Sequence, residues 1–377
     1  MPRDINARLE KLRIRRKGVD AVNSGWVTEG FAQDILQKSI IQEAWQRRAA
    51  AQPYTRYALG AMQAVDPAYT QKSIDEAERV AKQMRDGLSV SIETRLQGSV
   101  PLDIHIKGVS DVDLLVLLTG FHTYFTHGAL ALAGHYTNPT SETSLSALIS
   151  LRRECEELLK RRYWGATVDC NGGKSIALSG GSFERPVDVV PSHWSDTIAY
   201  QSSLAENDRG VKILNKTVPE TIDNLPFTHI KRVHDRDAAF YGSLKKAIRL
   251  VKSVKNDADY EETAAMLPSF DIASLMYHAD ETAMKAGFVN ELYILKEAQR
   301  FFDWCWGNKS EASKLMTPDG SRAILNNEDK WTGLLTISTE LDDLARQVAR
   351  EQGLYTSSPT WNDVYSTLGN ARVPTAN

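Results

Sequence analysis

Arg95-Leu96-Gln97-Gly98-Ser99, followed after eleven residues by Asp111-Val112-Asp113-Leu114-Leu115-Val116-Leu117-Leu118, is the stretch on which the reading of this chain turns. The second part has the length and composition of a strand. Its period of two puts Asp111 and Asp113 on one face and Val112, Leu114, Val116 and Leu118 on the other. Two carboxylates side by side at the start of an apolar strand repel each other, at a cost of several kcal/mol unless a cation stands between them. Magnesium, a hard ion that takes one or two carboxylates and fills its octahedron with phosphate oxygens and water, suits such a pair. The Gly98-Ser99 step follows an alternating strand (Val90, Ile92, Thr94, Leu96) and offers backbone N–H groups and a hydroxyl to a phosphate.

The 377 residues suffice for one large or two ordinary domains, and 42% hydrophobic with 25% charged residues is the composition of a globular protein. A formal charge of -3 gives no global pull toward nucleic acid or an anionic membrane, so any basic site is local. Three scattered cysteines, Cys155, Cys170 and Cys305, form no Cys-x-x-Cys pair, which argues against a zinc module or a disulfide framework. With no apolar signal region after Met1-Pro2-Arg3-Asp4 and no long uncharged apolar window, the expected setting is cytoplasmic, with no membrane partner.

The basic residues Arg8, Lys11, Arg13, Arg15, Arg16 and Lys17 suggest a solvated helix or a basic arm. Phe31, Ile35, Ile41 and Trp45 give helical spacing from Gly30 to Ala50, and Ser73-Ile74-Asp75-Glu76 reads as a capping box opening a helix to Gly87. His122, His127 and His135 fall in a loop or short helix, with spacings that match no common metal pattern. A helix is expected from Ser144 to Trp164, then a hairpin of Ser175–Leu178 and Arg185–Pro191 whose second strand carries a lone carboxylate, Asp188. Residues 201–224 read as loop and helices follow. The first of these, from Asp237 to Lys255, has Lys245, Lys246, Arg249, Lys252 and Lys255 on its polar side, either a solvated face or a local site for a polyphosphate. A last helix is expected from Ser338, as N-cap, to Gln352. The stretch from Tyr355 to Ala376-Asn377 shows no apolar periodicity and reads as a mobile tail.

Gly-Ser, eleven residues, Asp-Val-Asp on an apolar strand and then Val-Asp-Val-Val on a later one resemble the nucleotidyltransferase core of the polymerase-beta superfamily. Three further segments are similar to the bacterial cGAS/DncV-like nucleotidyltransferases (CD-NTases) of CBASS anti-phage systems: Leu225-Pro226-Phe227-Thr228-His229-Ile230, Gly242-Ser243 through Lys252, and Leu267-Pro268-Ser269-Phe270. The likeness runs from about Ser91 to His278. It implies an α+β fold, a mixed sheet with flanking helices (residues 1–215 with the N-terminal helices) packed against a helical lobe (216–355), with 356–377 as the tail. It also implies that Asp111, Asp113 and Asp188 hold two Mg²⁺ ions, which Mn²⁺ can replace, that Gly98 and Ser99 cradle phosphates, that Lys252 and Ser269 hold the triphosphate, and that Phe270 stacks on the donor base.

The activity so implied is condensation of nucleoside triphosphates, ATP among them, into a cyclic di- or trinucleotide messenger with release of pyrophosphate. CBASS operon partners are implied with it. Direct activation by duplex DNA, as in the animal relative, is not expected, since zinc-thumb cysteines and an overall basic charge are both missing. Two other readings stay open at this stage: a transferase that adds a nucleotide to RNA, a small molecule or a protein, and an inactive nucleotide sensor. Leu102-Asp103-Ile104-His105-Ile106-Lys107 departs from the small polar pair that many relatives carry before the Asp-x-Asp.

Overall fold

The structure is a computed structural model that describes residues 4–23, 29–108 and 110–373. Phe31's side chain, Met1-Pro2-Arg3 and Ala376-Asn377 lie outside the described residues. Among the described residues seven strands form one mixed sheet: β1 (Ile92–Gln97), β2 (Val112–Tyr124), β3 (Thr167–Asp169), β4 (Ile176–Ser179), β5 (Val187–Asp196), β6 (Gly210–Asn215) and β7 (Glu220–Asn224). The order is β1-β2-β5-β4-β3, and β6 pairs with β5 and β7. β2 and β5 run parallel while the other pairs are antiparallel, and β4–β5 is the expected hairpin pairing.

Alternation along β2 and β5 gives the sheet two working faces. Val112, Leu114, Val116, Val187 and Val189 pack against Ala77, Val80 and Met84 of the helix Pro67–Gly87 and Leu151, Cys155 and Leu158 of the helix Ser144–Arg162. The opposite face carries Asp113 and Asp188 and continues into Leu115, Leu117, Val190 and Trp194, which close over Val211, Ile213 and Phe227. A second core belongs to the helices Pro226–Ala239, Ser243–Asn256, Ser269–Met276, Leu292–Gly307 and Glu328–Glu351. Among the described residues no helix is long and apolar enough to cross a membrane.

Several local expectations are corrected. The Ile5–Lys17 helix is no solvated arm: Arg8, Arg15, Arg16 and Lys17 are buried, and Ile5, Leu12, Tyr57, Leu59 and Met62 belong to the helical lobe's core rather than the sheet's. The helix expected over 30–50 is broken into Glu29–Ser39 and Ala44–Arg47. Ser73 does not open a helix. Asp66 caps it with Pro67 at the first position, and buried Ser73 donates instead to the Ser110 carbonyl, 3.3 Å. The 201–224 stretch holds β6 and β7, short strands of six and five residues whose Val211, Ile213 and Ile222 pack in the core around Trp194.

The 237–255 helix is in fact two, broken at Tyr241 and Gly242, both left-handed (φ 53 and 82), and left-handed backbone ends a helix. Ser338 lies inside Glu328–Glu351, which Asn327 caps. The expected tail forms the helix Trp361–Asn370, with Val364 and Leu368 fully buried; two apolar anchors in ten residues are too few to register as a period.

Candidate functional site

β1 ends at Gln97, which pairs with Asp113 across the antiparallel ladder. Gly98 then turns with φ +85, and a Cβ there would stand 2.1 Å from Asp113 Oδ2. Only glycine allows this turn to lie against the carboxylate. Asp113 and Asp188 are register partners on the parallel pair β2–β5, so the strand-borne carboxylates are neighbours. Ser175 Oγ donates to Asp188 Oδ2 at 3.4 Å. Asp111 sits exposed one residue before β2, whose first amide, Val112 N–H, is fixed on the Pro186 carbonyl at 3.2 Å.

The carboxylates strain one another electrostatically. Burial, then the charges of Asp111 and Asp188, push the Asp113 carboxyl up to about 7. Burial and Asp111 raise Asp188 as well, against the Ser175 hydrogen bond. Among the described residues the causes of these shifts include no cation. Among the described residues no three carboxylate, imidazole or thiol groups already converge into a metal cage. A pair of uncompensated carboxylates short of a full ligand set fits a magnesium ion that draws its other ligands from substrate phosphates and water.

A cleft of about 610 Å³ separates the carboxylates from the helical lobe, and Gly98, Ser99, Asp111, Asp113, Lys252, Ser269 and Phe270 all line it. Asp188 stands behind, one strand over from Asp113. Lys252 is not on a solvated face: it is 7% exposed and its Nζ donates to the Ile104 carbonyl at 2.7 Å. Burial, with Lys255 and Arg249 nearby, lowers its ammonium to about 8. Ser269 opens the helix Ser269–Met276, whose cap residue Pro268 makes no side-chain cap bond, and the first two helical residues, Ser269 and Phe270, line the cleft. Phe270 stacks on His229 with ring centroids 4.4 Å apart, and the Arg322 guanidinium lies 5.4 Å from its ring.

The cleft also holds residues to which the sequence assigned no individual role. Lys255, one turn beyond Lys252, spends its Nζ on the Leu267 carbonyl at 2.7 Å. Gln97 and Asn224 meet across the cleft wall, amide to amide at 3.4 Å. His229 is buried, and burial lowers its imidazole to about 4, so the ring beneath Phe270 is neutral. Lys255 was visible in the cationic row and His229 in the Leu225–Ile230 segment, whereas the Gln97–Asn224 contact joins two strands 127 residues apart and leaves no local trace.

Comparison with known proteins gives three results. A family model described as the cGAS/DncV-like nucleotidyltransferase C-terminal helical domain matches residues 231–335. A cyclic dinucleotide synthase CdnE of Yersinia aleksiciae is 38% identical over 358 residues, 92% of this chain and 92% of that protein. The solved structure of a STING-associated CdnE c-di-GMP synthase from Capnocytophaga granulosa superposes with a TM-score of 0.69 at 26% identity, covering 91% of this chain and 97% of that one.

Proposed function

The chain belongs to the cGAS/DncV-like nucleotidyltransferases, and from that membership we propose that it condenses nucleoside triphosphates into a cyclic dinucleotide, a second messenger of anti-phage defence. One observation carries the assignment of the site: seven of the residues singled out in the sequence line a single cleft, with Asp188 beside Asp113. The cleft's volume of about 610 Å³ lies in the range of small-molecule ligand sites.

Each side chain then has a task. Ser99, the amides around Gly98 and the first turn of the Ser269 helix hold the triphosphate of the donor, and Lys252 exchanges its carbonyl partner for a phosphate oxygen. Phe270, backed by the neutral His229 ring, presents an aromatic face to the donor base. Asp188 takes the proton of the attacking ribose hydroxyl. The bond from that oxygen to the α-phosphorus forms as the bond to the pyrophosphate oxygen breaks, and pyrophosphate leaves with the electron pair. A second round within the linear product closes the ring and releases a second pyrophosphate. Two divalent ions, Mg²⁺ with Mn²⁺ as substitute, would be held by Asp111, Asp113 and Asp188 and would neutralise charge on the phosphates and lower the hydroxyl's proton affinity.

Purified protein with Mg²⁺ and mixed nucleoside triphosphates is expected to form a phosphatase-resistant product, since a ring has no terminal phosphate. Asp111→Asn combined with Asp113→Asn abolishes it. Linear, phosphatase-sensitive products alone, or label transferred to RNA or protein, would overturn the cyclase reading. Omitting one nucleotide at a time identifies the bases. The Capnocytophaga relative is described as STING-associated, which makes a receptor for the product the expected partner here.

A further inference from the structure

Residues 99–108 lead from the Gly-Ser turn toward Asp111, and they leave the sheet to be anchored in the other lobe. Leu102 and Ile104 are 2% and 4% exposed and belong to the helical core. Lys252 holds the Ile104 carbonyl, and a second side chain of the same helix holds the residue between the two. Arg249, on the helix Ser243–Asn256, donates from Nη1 to the Asp103 carbonyl at 2.6 Å and from Nε to the Met62 carbonyl at 2.8 Å, and Nη1 also lies 3.4 Å from Asp103 Oδ2. Asp103 is left-handed, φ 53, a conformation that a non-glycine residue keeps only when its surroundings impose it. Around this grip the segment closes on itself through Asp103 N–H to Val100 O and Ile104 N–H to Ser99 O, 3.0 Å each. Gly108 N–H reaches the Arg15 carbonyl at 2.9 Å. The last of these contacts is tight, because a Cβ on Gly108 would come within 2.3 Å of the Arg16 carbonyl.

We propose that Arg249 is a positioning residue: it pins Asp103 to the helical lobe and so sets the Ser99 and Asp111 ends of the segment, coupling phosphate cradle and carboxylate to the wall that carries Lys252 and Phe270. The role rests on the nucleotidyl-transfer reading of the cleft. It differs from that of Lys252, whose single bond to Ile104 can be exchanged for a phosphate, because Arg249 bridges two separate chain segments and does not line the cleft. It also gives the Leu102–Lys107 sequence, unlike the usual pattern, a purpose: two apolar anchors flank the gripped residue.

Hydrogen exchange of the metal-free chain tests the grip directly. In Arg249→Met the amides of Asp103, Ile104 and Gly108 exchange about tenfold faster or more, a local opening. In Arg346→Met, which removes a cation of the same lobe lying 4.2 Å over the Trp361 ring, they do not change. With nucleoside triphosphates, Arg249→Met loses about 100-fold in kcat, the scale of an ångström misplacement, and needs more Mg²⁺ for half-maximal rate. Arg249→Lys, which keeps one donor, recovers part of both, and it carries the same readouts should Arg249→Met fail to fold. Unchanged exchange in the segment, or kcat within about twofold of wild type once folded protein is counted, overturns the proposal. A wild-type chain that makes no cyclic product would defeat the enzymatic reading, while the exchange measurement would still decide the grip.

Discussion

Gly98 is fixed by two independent constraints, its left-handed φ of +85 and the Asp113 oxygen 2.1 Å from where a Cβ would sit. The conformation alone costs an alanine about 1 kcal/mol, and the clash is relieved only by turning the Asp113 carboxylate away. Gly98→Ala is therefore expected to lower stability by about 1–3 kcal/mol in urea denaturation and to reduce kcat by about 100-fold. A stability loss with wild-type kcat would mean that the turn does not govern Asp113. At this scale the sequence was most readable: Gly-Ser, Asp-x-Asp and the lone Asp188 are short patterns visible without the fold, although it is the β2–β5 register that sets Asp188 beside Asp113. Lys252 was readable as a cation but not as a buried one, because its depth is set by the Ile104 carbonyl, 148 residues away.

Elements proved harder to bound than residues were to name, and the N-terminal helix shows why. Its basic residues read as a solvated face, yet Arg15 forms a buried pair with Asp257, with bonds of 2.7 and 3.0 Å, and Tyr57 Oη adds a third to the same carboxylate at 2.7 Å. A cation looks the same in sequence whether its carboxylate is bulk-exposed or 242 positions distant. Arg15→Met strands a buried charge, so a loss of about 3–5 kcal/mol is expected, and adding Asp257→Asn should restore part of it in the same urea titration. The C-terminal helices offer a pH test. Burial and the nearby Asp303 raise Asp342 to about 6, against a hydrogen bond from Gln299. Folded Asp342 thus holds its proton more tightly than the unfolded chain does. Its contribution is fully present below about pH 4 and is lost as pH rises through about 6. Asp342→Asn should match wild type near pH 4 and be more stable by about 1–2 kcal/mol at pH 7.5, with solvent screening of this partly exposed group allowed for.

The whole molecule is a chain that visits its helical lobe first, builds the sheet, and then returns. Two lobes were implied by the family resemblance, and helical patterns dominate after residue 224, but periodicity says nothing about which core an amphipathic helix joins. Tyr57, Ala58, Leu59 and Met62, all fully or nearly fully buried, pack with Leu244, Ile248, Val251 and Leu344 of the later helices. Gln52, Tyr54 and Thr55 bond to Glu351 at the end of the long helix. A fragment of residues 216–373 would lack all of these partners and expose the apolar face of the Ser243–Asn256 helix. The expected outcome is a compact, helical fragment without a cooperative urea transition, its exposed surface reported by dye binding. Supplying residues 4–64 as a separate chain should restore the transition, with a midpoint that rises with the concentration of the added piece, because the two now fold by association. Cooperative unfolding of 216–373 alone would show instead that the returning helices make a complete core, with the N-terminal helices only laid against it.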